Sequence, residues 1–359
     1  MNTLTVQLKN HSYDIIVGAG CLHVVNERIQ NESIFMLFDE NVEQYAESIT
    51  SSASMAFQAT EKNKVLSSIE TVCQSMRTQG INRKSALIAM GGGVMGDVGG
   101  YAAASYMRGI GCIQIPTTLL AMVDASMGGK TGVNMQGDDG VLFKNMIGAF
   151  WQPSLVVADV TTLKTLDKRQ LRCGVAECIK HALLGHSDLM ELLQSKRDAI
   201  LNYDEDALIA LVTQSAAIKK EVVEADEREM GSRALLNLGH TFAHAIEPID
   251  ELDLYHGEAV AIGLCAAASL SEAMGLIDAA KVGSVRELVS SYGLPISLPV
   301  PQSITMLNER MQADKKRDGS TNRFIVLSES ENSGGGEIAK DVDEQLVALA
   351  WASVGGQLE

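Results

Sequence analysis

The sequence predicts two unlike halves: an α/β domain with a mainly parallel sheet over residues 1–155, and an all-α domain over residues 156–359. Three observations carry this. Short apolar runs alternate with helix-length segments up to about Pro153, the pattern of strands joined by crossover helices. A triple glycine directly follows one of those runs. Beyond Leu155–Ala158 the apolar spacing becomes helical almost without interruption. Apolar residues make up 46% of the chain and aromatics 4%, with 32 glycines, which suits close-packed α/β and helical layers better than a sandwich.

In order along the chain, Thr3–Lys9 and Tyr13–Val17 alternate as strands, compatible with a hairpin. Ile34–Phe38, Met55–Gln58, Ala86–Met90 and Cys112–Ile115 read as short buried strands, because a sheet covered on both faces needs nearly continuous apolar runs. Val42–Ser51, Lys64–Thr78 and Val94–Arg108 read as the intervening helices. Leu155–Ala158 is the last strand of this half, and the joint falls near Gln152-Pro153. The second half reads as helices over Asp167–Leu184, Asp188–Leu201, Asp204–Val223, Asn237–Ile249, Gly257–Met274 and Ala279–Tyr292. Arg323–Ser328 is a late strand-like exception, and polar, glycine-rich Glu329–Glu337 reads as a turn or surface loop.

The formal charge is 29 − 45 = −16, which argues against nucleic acid and anionic membranes as partners, since both need a large cationic surface. A small anionic ligand stays open, because it feels local lysines and arginines in a cleft more than distant surface charge. The six cysteines are scattered with no C-x-x-C pair, and read as free thiols of a reducing cytoplasm. Met1–Lys9 shows no signal-peptide pattern and no apolar run reaches membrane-spanning length, so a soluble cytoplasmic protein is expected.

Gly91-Gly92-Gly93-Val94-Met95-Gly96-Asp97 follows the strand Ala86–Met90 and opens a helix, satisfying G-x-G-x-x-G in its strand–turn–helix context. Such a turn lets backbone approach a pyrophosphate, while the helix N-terminus offers unpaired N–H groups and a positive dipole end. A Rossmann-like, NAD-type site is the expectation; a turn needed only for tight packing is the alternative. The acid usually found about twenty residues later is absent from Arg108–Pro116. Asp39, closing the strand Ile34–Phe38 and followed by Asn41, is the better ribose candidate. Gly128-Gly129-Lys130-Thr131 looks like the end of a P-loop, but the motif's first glycine would fall on Asp124, so the match fails.

Of seven histidines, His240, His244 and His256 fall in one short stretch. His240 and His244 are four apart and share a helical face, and His256 opens a following helix. Imidazoles converging from two helices can supply two ligands to zinc, with a carboxylate from elsewhere as the third. Capping or solvated helix histidines are the plainer alternative.

Together these segments resemble the 3-dehydroquinate synthase family. The resemblance rests on Gly91–Asp97, Tyr106-Met-Arg-Gly109, Gln114-Ile-Pro-Thr-Thr-Leu-Leu120, Val123–Asn134, Lys144-Asn-Met-Ile-Gly-Ala-Phe150, Gly174-Val-Ala-Glu-Cys-Ile-Lys180, Asn237–His244 and His256-Gly-Glu258, collinear from Asp39 to about Lys316. It implies an NAD-binding α/β domain, a helical metal-binding domain and a homodimer. It also implies conversion of the seven-carbon acid phosphate DAHP into 3-dehydroquinate and phosphate, a step of the shikimate pathway.

The resemblance supplies the missing carboxylate, giving Glu177, His240 and His256 as ligands of zinc, with cobalt as the alternative. It assigns NAD to Asp39, Asn41, Glu61, Lys62, Lys64, Gly92, Gly93, Val94, Gly96, Asp97, Thr117, Thr118, Asp124, Lys130, Lys144, Thr165 and Leu166. Asp124, Lys130, Lys180, Lys219, Arg233 and His244 become the catalytic set. Asn145, Asn237, one of Lys315 or Lys316, and an Arg108 contributed by the partner subunit become further substrate contacts. His244 thereby moves from candidate ligand to phosphate contact. The implied chemistry is transient oxidation by NAD, phosphate elimination, re-reduction and aldol closure. Two departures stand out. The stretch Met135–Phe143 is longer than the family's usual link, with Phe143 where glycine is usual, and Thr60 precedes Glu61 where glycine is common. A metal-dependent polyol dehydrogenase or a related sugar-phosphate cyclase is the alternative.

Overall fold

The structure, a computed structural model, describes residues 1–29, 33–137, 142–318, 323–330 and 335–358. Two compact units emerge: Met1–Asp167 with Tyr203–Arg228, and Lys168–Asn202 with Glu229–Glu359.

The first unit holds strands β1 (Asn2–Gln7), β2 (Ser12–Gly18), β3 (Ile34–Asp39), β4 (Ala53–Phe57), β5 (Ala86–Gly91), β6 (Gly111–Pro116), β7 (Lys130–Gln136), β8 (Leu142–Phe150) and β9 (Leu155–Asp159). Seven of them form one sheet in the order β1-β2-β9-β6-β5-β3-β4. All its pairings are parallel except β1 with β2. The continuous apolar runs are explained by burial on both faces. Ile34, Met36 and Phe38 of β3 join Val24 and Val25 on one side. Phe35 and Leu37 join Ile69, Val72 and Met76 of the Leu66–Thr78 helix on the other. Burying each such side chain is worth ~1.5–3 kcal/mol.

Because β3 lies between β4 and β5, the sheet grows in opposite directions from it. That is a topological switch point, and ligands of open α/β sheets bind outside the carboxyl ends of the strands there. Asp39 ends β3 and Gly91 ends β5.

Strands β7 and β8 form a separate antiparallel hairpin with a bulge between Val133 and Met135. The hairpin was not expected from the sequence. Residues 138–141, within the stretch Met135–Phe143, lie outside the described residues. The Glu205–Ala225 helix, which sequence order would give to the second half, belongs to the first unit. Its Thr213 hydroxyl accepts from Asn2 and its Glu224 carboxylate from the Gln7 backbone, fixing it against β1.

In the second unit the His256–Ala273 helix is the buried centre. Two glycines let neighbours reach its backbone. A Cβ on Gly257 would lie 2.3 Å from the Cα of Cys173, on the Lys168–Leu183 helix. A Cβ on Gly263 would lie 2.2 Å from the carbonyl oxygen of Gly239, which caps the His240–Ile246 helix in a left-handed conformation (φ 79°). Trp351, fully buried on the Glu344–Ser353 helix, meets Phe242 edge-on at 5.0 Å. The strand-like Arg323–Ser328 is a strand, Arg323–Leu327, paired with Gly336–Lys340.

Several helices are shorter than periodicity suggested. Val94–Arg108 ends at Ser105. Asp188–Leu201 breaks at Lys196 into two helices. Asn237–Ile249 becomes a 3-10 turn, Ser232–Asn237, and a helix starting at His240. Val42–Ser51 holds only the end of a 3-10 turn, Glu40–Val42, and the short helix Glu43–Ala46. Among the described residues no helix is long and apolar enough to cross a membrane.

Candidate active site

At the switch point Gly91 adopts φ 154°, and a Cβ there would lie 2.4 Å from Met95 Cγ and 3.1 Å from Asp39 Cβ. Glycine is what allows the ends of β3 and β5 to meet. Gly92 caps the Gly93–Ser105 helix in an extended conformation, so Gly93, Val94, Gly96 and Asp97 lie in its first turns, beside the positive dipole end. The Thr117 N–H donates to the Gly91 carbonyl at 2.9 Å, and Thr118 Cγ2 lies 3.1 Å from where a Gly92 Cβ would be. Asp39 Oδ1 accepts from the backbone and side-chain nitrogens of Asn41, at 3.1 and 2.9 Å. Asp39, Gly92, Thr117 and Thr118 therefore surround one glycine turn. Thr165 ends the 3-10 turn after β9, and Leu166 follows it.

Glu61 and Lys62 occupy the 3-10 turn after β4. Lys64, only 4% exposed, donates to Asp97 Oδ2 and Asn145 Oδ1, each at 2.5 Å. Burial raises the Asp97 carboxyl above its ordinary range, and the Lys64 ammonium opposes that rise. A cavity of about 490 Å³ is lined by Asp97, Asp124, Lys130, Asn145 and Lys219, together with Met146, Phe150 and their neighbours. Asp124 sits on a π-helical turn, Ala121–Ala125, and accepts from the buried Lys219 ammonium through both its carboxylate and its backbone carbonyl. Lys130 and Lys144 are exposed on β7 and β8. Arg108 does not line this cavity. It is exposed on a 3-10 turn beyond the helix, in the left-handed region (φ 67°) after Met107 (φ 50°).

In the second unit, Glu177, His240 and His256 offer ligand atoms within 4.8 Å of one another. They come from three helices, Lys168–Leu183, His240–Ile246 and His256–Ala273. Glu177 is fully buried, and its Oε1 lies 3.6 Å from His240 Nε2 and 3.7 Å from His256 Nε2. Buried Lys180, one turn on, pairs with the other carboxylate oxygen. One carboxylate and two imidazoles are borderline ligands that fit a zinc-like ion, and three protein donors leave a coordination position for a ligand oxygen. His240 Nδ1 lies 3.2 Å from the Leu238 carbonyl and His256 Nδ1 3.1 Å from Glu247 Oε2, which turns both Nε2 atoms toward Glu177. Burial drives the His240 imidazole down to about 3. Burial acts the same way on His256, but the Glu177 and Glu247 carboxylates outweigh it and push it up to about 10.

His244 stays out of the ligand group; it is exposed, its ring edge-on to His240 with centroids 5.6 Å apart. Arg233 is 2% exposed on the Ser232–Asn237 turn, and Asn237 donates to Glu229 at 3.1 Å. Lys315 and Lys316 fall in the Ile304–Asp318 helix, but their side chains lie outside the described residues. Sequence reasoning missed Glu247, although it stands seven residues after His240 on the same face of that segment. It also missed the Arg169 fork on Glu258, with Nε–Oε1 and Nη2–Oε2 both 2.8 Å, which ties the Glu177 helix to the first turn of the His256 helix.

The chain thus pairs a glycine turn at a switch point with a buried carboxylate–imidazole group, and its structural neighbours include sugar-phosphate cyclases. Two solved cyclases share the fold. The chain is 27% identical to 2-epi-5-epi-valiolone synthase from Streptomyces hygroscopicus, solved with NAD+ and Zn2+, with a TM-score of 0.86 over 97% of this chain and 98% of that one. It is 25% identical to a 2-deoxy-scyllo-inosose synthase solved with carbaglucose-6-phosphate, NAD+ and Co2+, with a TM-score of 0.85 over 99% and 100%. Family models described as 3-dehydroquinate synthase N-terminal and C-terminal match residues 54–173 and 174–317. A 3-dehydroquinate synthase of Opitutus terrae is 40% identical over 99% of both chains, and one of Legionella pneumophila 39% identical over 90% of this chain and 89% of its own. The chain belongs to the 3-dehydroquinate synthase family.

Proposed function

We propose that this chain converts DAHP into 3-dehydroquinate and inorganic phosphate, with NAD and a divalent ion, zinc or cobalt, as resident cofactors. The observation that carries the reading is the meeting of Glu177, His240 and His256 within 4.8 Å. The relatives at about 40% identity favour the acid phosphate over the substrates of the more distant cyclases.

The ion, when bound, supplies Lewis-acid stabilisation of oxygen charge at the alcohol being oxidised. Glu177, His240 and His256 hold it. The switch-point turn of Gly92, Gly93, Val94 and Gly96 takes the pyrophosphate of NAD, and Asp39 with Asn41 the ribose. Glu61, Lys62, Lys64, Asp97, Thr117, Thr118, Lys144, Thr165 and Leu166 complete that assignment, with Asp124 and Lys130 shared with the substrate. Lys130 and Arg233 suit the substrate carboxylate; Asn145, Lys180, Asn237, His244 and one of Lys315 or Lys316 suit the phosphate. Lys219 holds the Asp124 carboxylate and carbonyl in place. Orientation and charge compensation are what these side chains contribute. The active species is a homodimer in which Arg108 reaches the partner's substrate; its exposure and fixed left-handed backbone support this. Six free thiols support a reducing, cytoplasmic setting.

Phosphate release from DAHP by the purified protein tests the reading. Release should require NAD, stop on chelation, return with zinc or cobalt, and proceed without accumulating NADH. NADH rising in step with substrate consumed would instead indicate a dehydrogenase.

A further inference from the structure

Asn134 is 1% exposed at the bulge of β7, and each part of its amide is engaged. Its Nδ2 donates to Glu61 Oε2 at 2.8 Å and to the Glu61 carbonyl at 3.2 Å. Its Oδ1 accepts from the Asn145 backbone N–H at 2.9 Å, and its own N–H donates to the Lys64 carbonyl at 2.8 Å. The carboxylate and carbonyl on one side and the N–H on the other permit one amide orientation only. Asn145 is held in the left-handed region (φ 57°), and its side-chain oxygen returns to Lys64 at 2.5 Å.

We infer that Asn134 is a positioning residue that sets the cofactor-side Glu61 and the substrate-side Asn145 from a single amide. The inference rests on the assignment of Glu61 to NAD and Asn145 to DAHP. Asn134 touches neither ligand; it acts through the two residues it bonds. Aspartate at this position keeps an acceptor for the Asn145 N–H but turns a carboxylate toward the Glu61 carboxylate. Alanine removes both side-chain links.

The test is NAD affinity by titration calorimetry and KM for DAHP in N134A, N134D, E61A, N145A and the doubles E61A/N134A and N145A/N134A. N134A should weaken NAD about tenfold and raise KM by a similar factor, as expected for losing a hydrogen bond to a charged or strained partner. N134D should weaken NAD while leaving KM nearly unchanged. Adding N134A to E61A should cost little further NAD affinity, and adding it to N145A little further KM. Additive losses in both doubles, or unchanged NAD affinity in folded N134A, would overturn the inference. Unchanged NAD affinity in E61A would instead overturn the assignment of Glu61. A merely structural role would lower the melting temperature without separating N134D from N134A in this way.

Discussion

His256 Nδ1 and Glu247 Oε2 stand 3.1 Å apart, so the His256 nitrogen that faces Glu177 is set by a carboxylate outside the candidate ligand group. With Nδ1 donating to Glu247, Nε2 is the nitrogen left facing Glu177, and its lone pair becomes available to a cation that displaces its proton. Glu247→Gln keeps an acceptor but removes the charge, and Glu247→Ala removes both. Loss of such a support typically costs ~10–100-fold in metal affinity. Chelator competition should therefore show weaker cobalt binding in both variants, with the larger loss in alanine. The visible spectrum of the cobalt-loaded protein should change as well. Wild-type affinity in both variants would mean that His256 is held by helix packing alone.

Arg108 acting across a dimer predicts complementation. Arg108→Ala and Lys180→Ala homodimers should each be inactive, while subunit exchange between them should restore activity, because some heterodimers then carry one intact site. A heterodimer verified by mass spectrometry yet inactive would assign Arg108 to its own subunit or to no site.

The buried thiols predict a loss of stability in alkali. Burial pushes Cys21, Cys112, Cys173 and Cys265 each up to about 12, from an ordinary value of 9.0. A folded-state value above the unfolded one contributes stability that is present below the unfolded value and lost as pH rises through the folded one. The window is therefore pH 9 to 12, and each thiol contributes a slope of about 1.4 kcal/mol per pH unit within it. Urea midpoints should fall steeply from pH 9 to 10, and Cys265→Ala should flatten the fall. An identical pH slope in that variant would remove Cys265 from the account.

The strands of the sheet were legible because burial on both faces leaves unbroken apolar runs, as in Phe35–Phe38. The β7–β8 hairpin was not. Gly132 and Gly148 cross so closely that a Cβ on Gly148 would lie 2.2 Å from the Thr131 carbonyl oxygen, and such a ribbon has no alternation to read. Helical periodicity marked the Glu205–Ala225 helix but could not reveal its neighbours, and it packs on β1. The break at Gly239 needs a positive φ that periodicity ignores. The histidines announced a ligand group by their rarity, whereas Glu177 is one acid among 45 and emerged only through resemblance to a family. Asn134 and Glu247 are joined to their partners by hydrogen bonds, and spacing along the chain carries no mark of such a partner.

Gly257 and Gly263 lie in the His256–Ala273 helix where the backbones of its two neighbours press against it. At these two crossings the helices carrying Glu177, His240 and His256 are spaced by main chain on main chain. One added methyl at either glycine would push a neighbouring helix outward. The ruler of the carboxylate–imidazole group is the absence of two β-carbons.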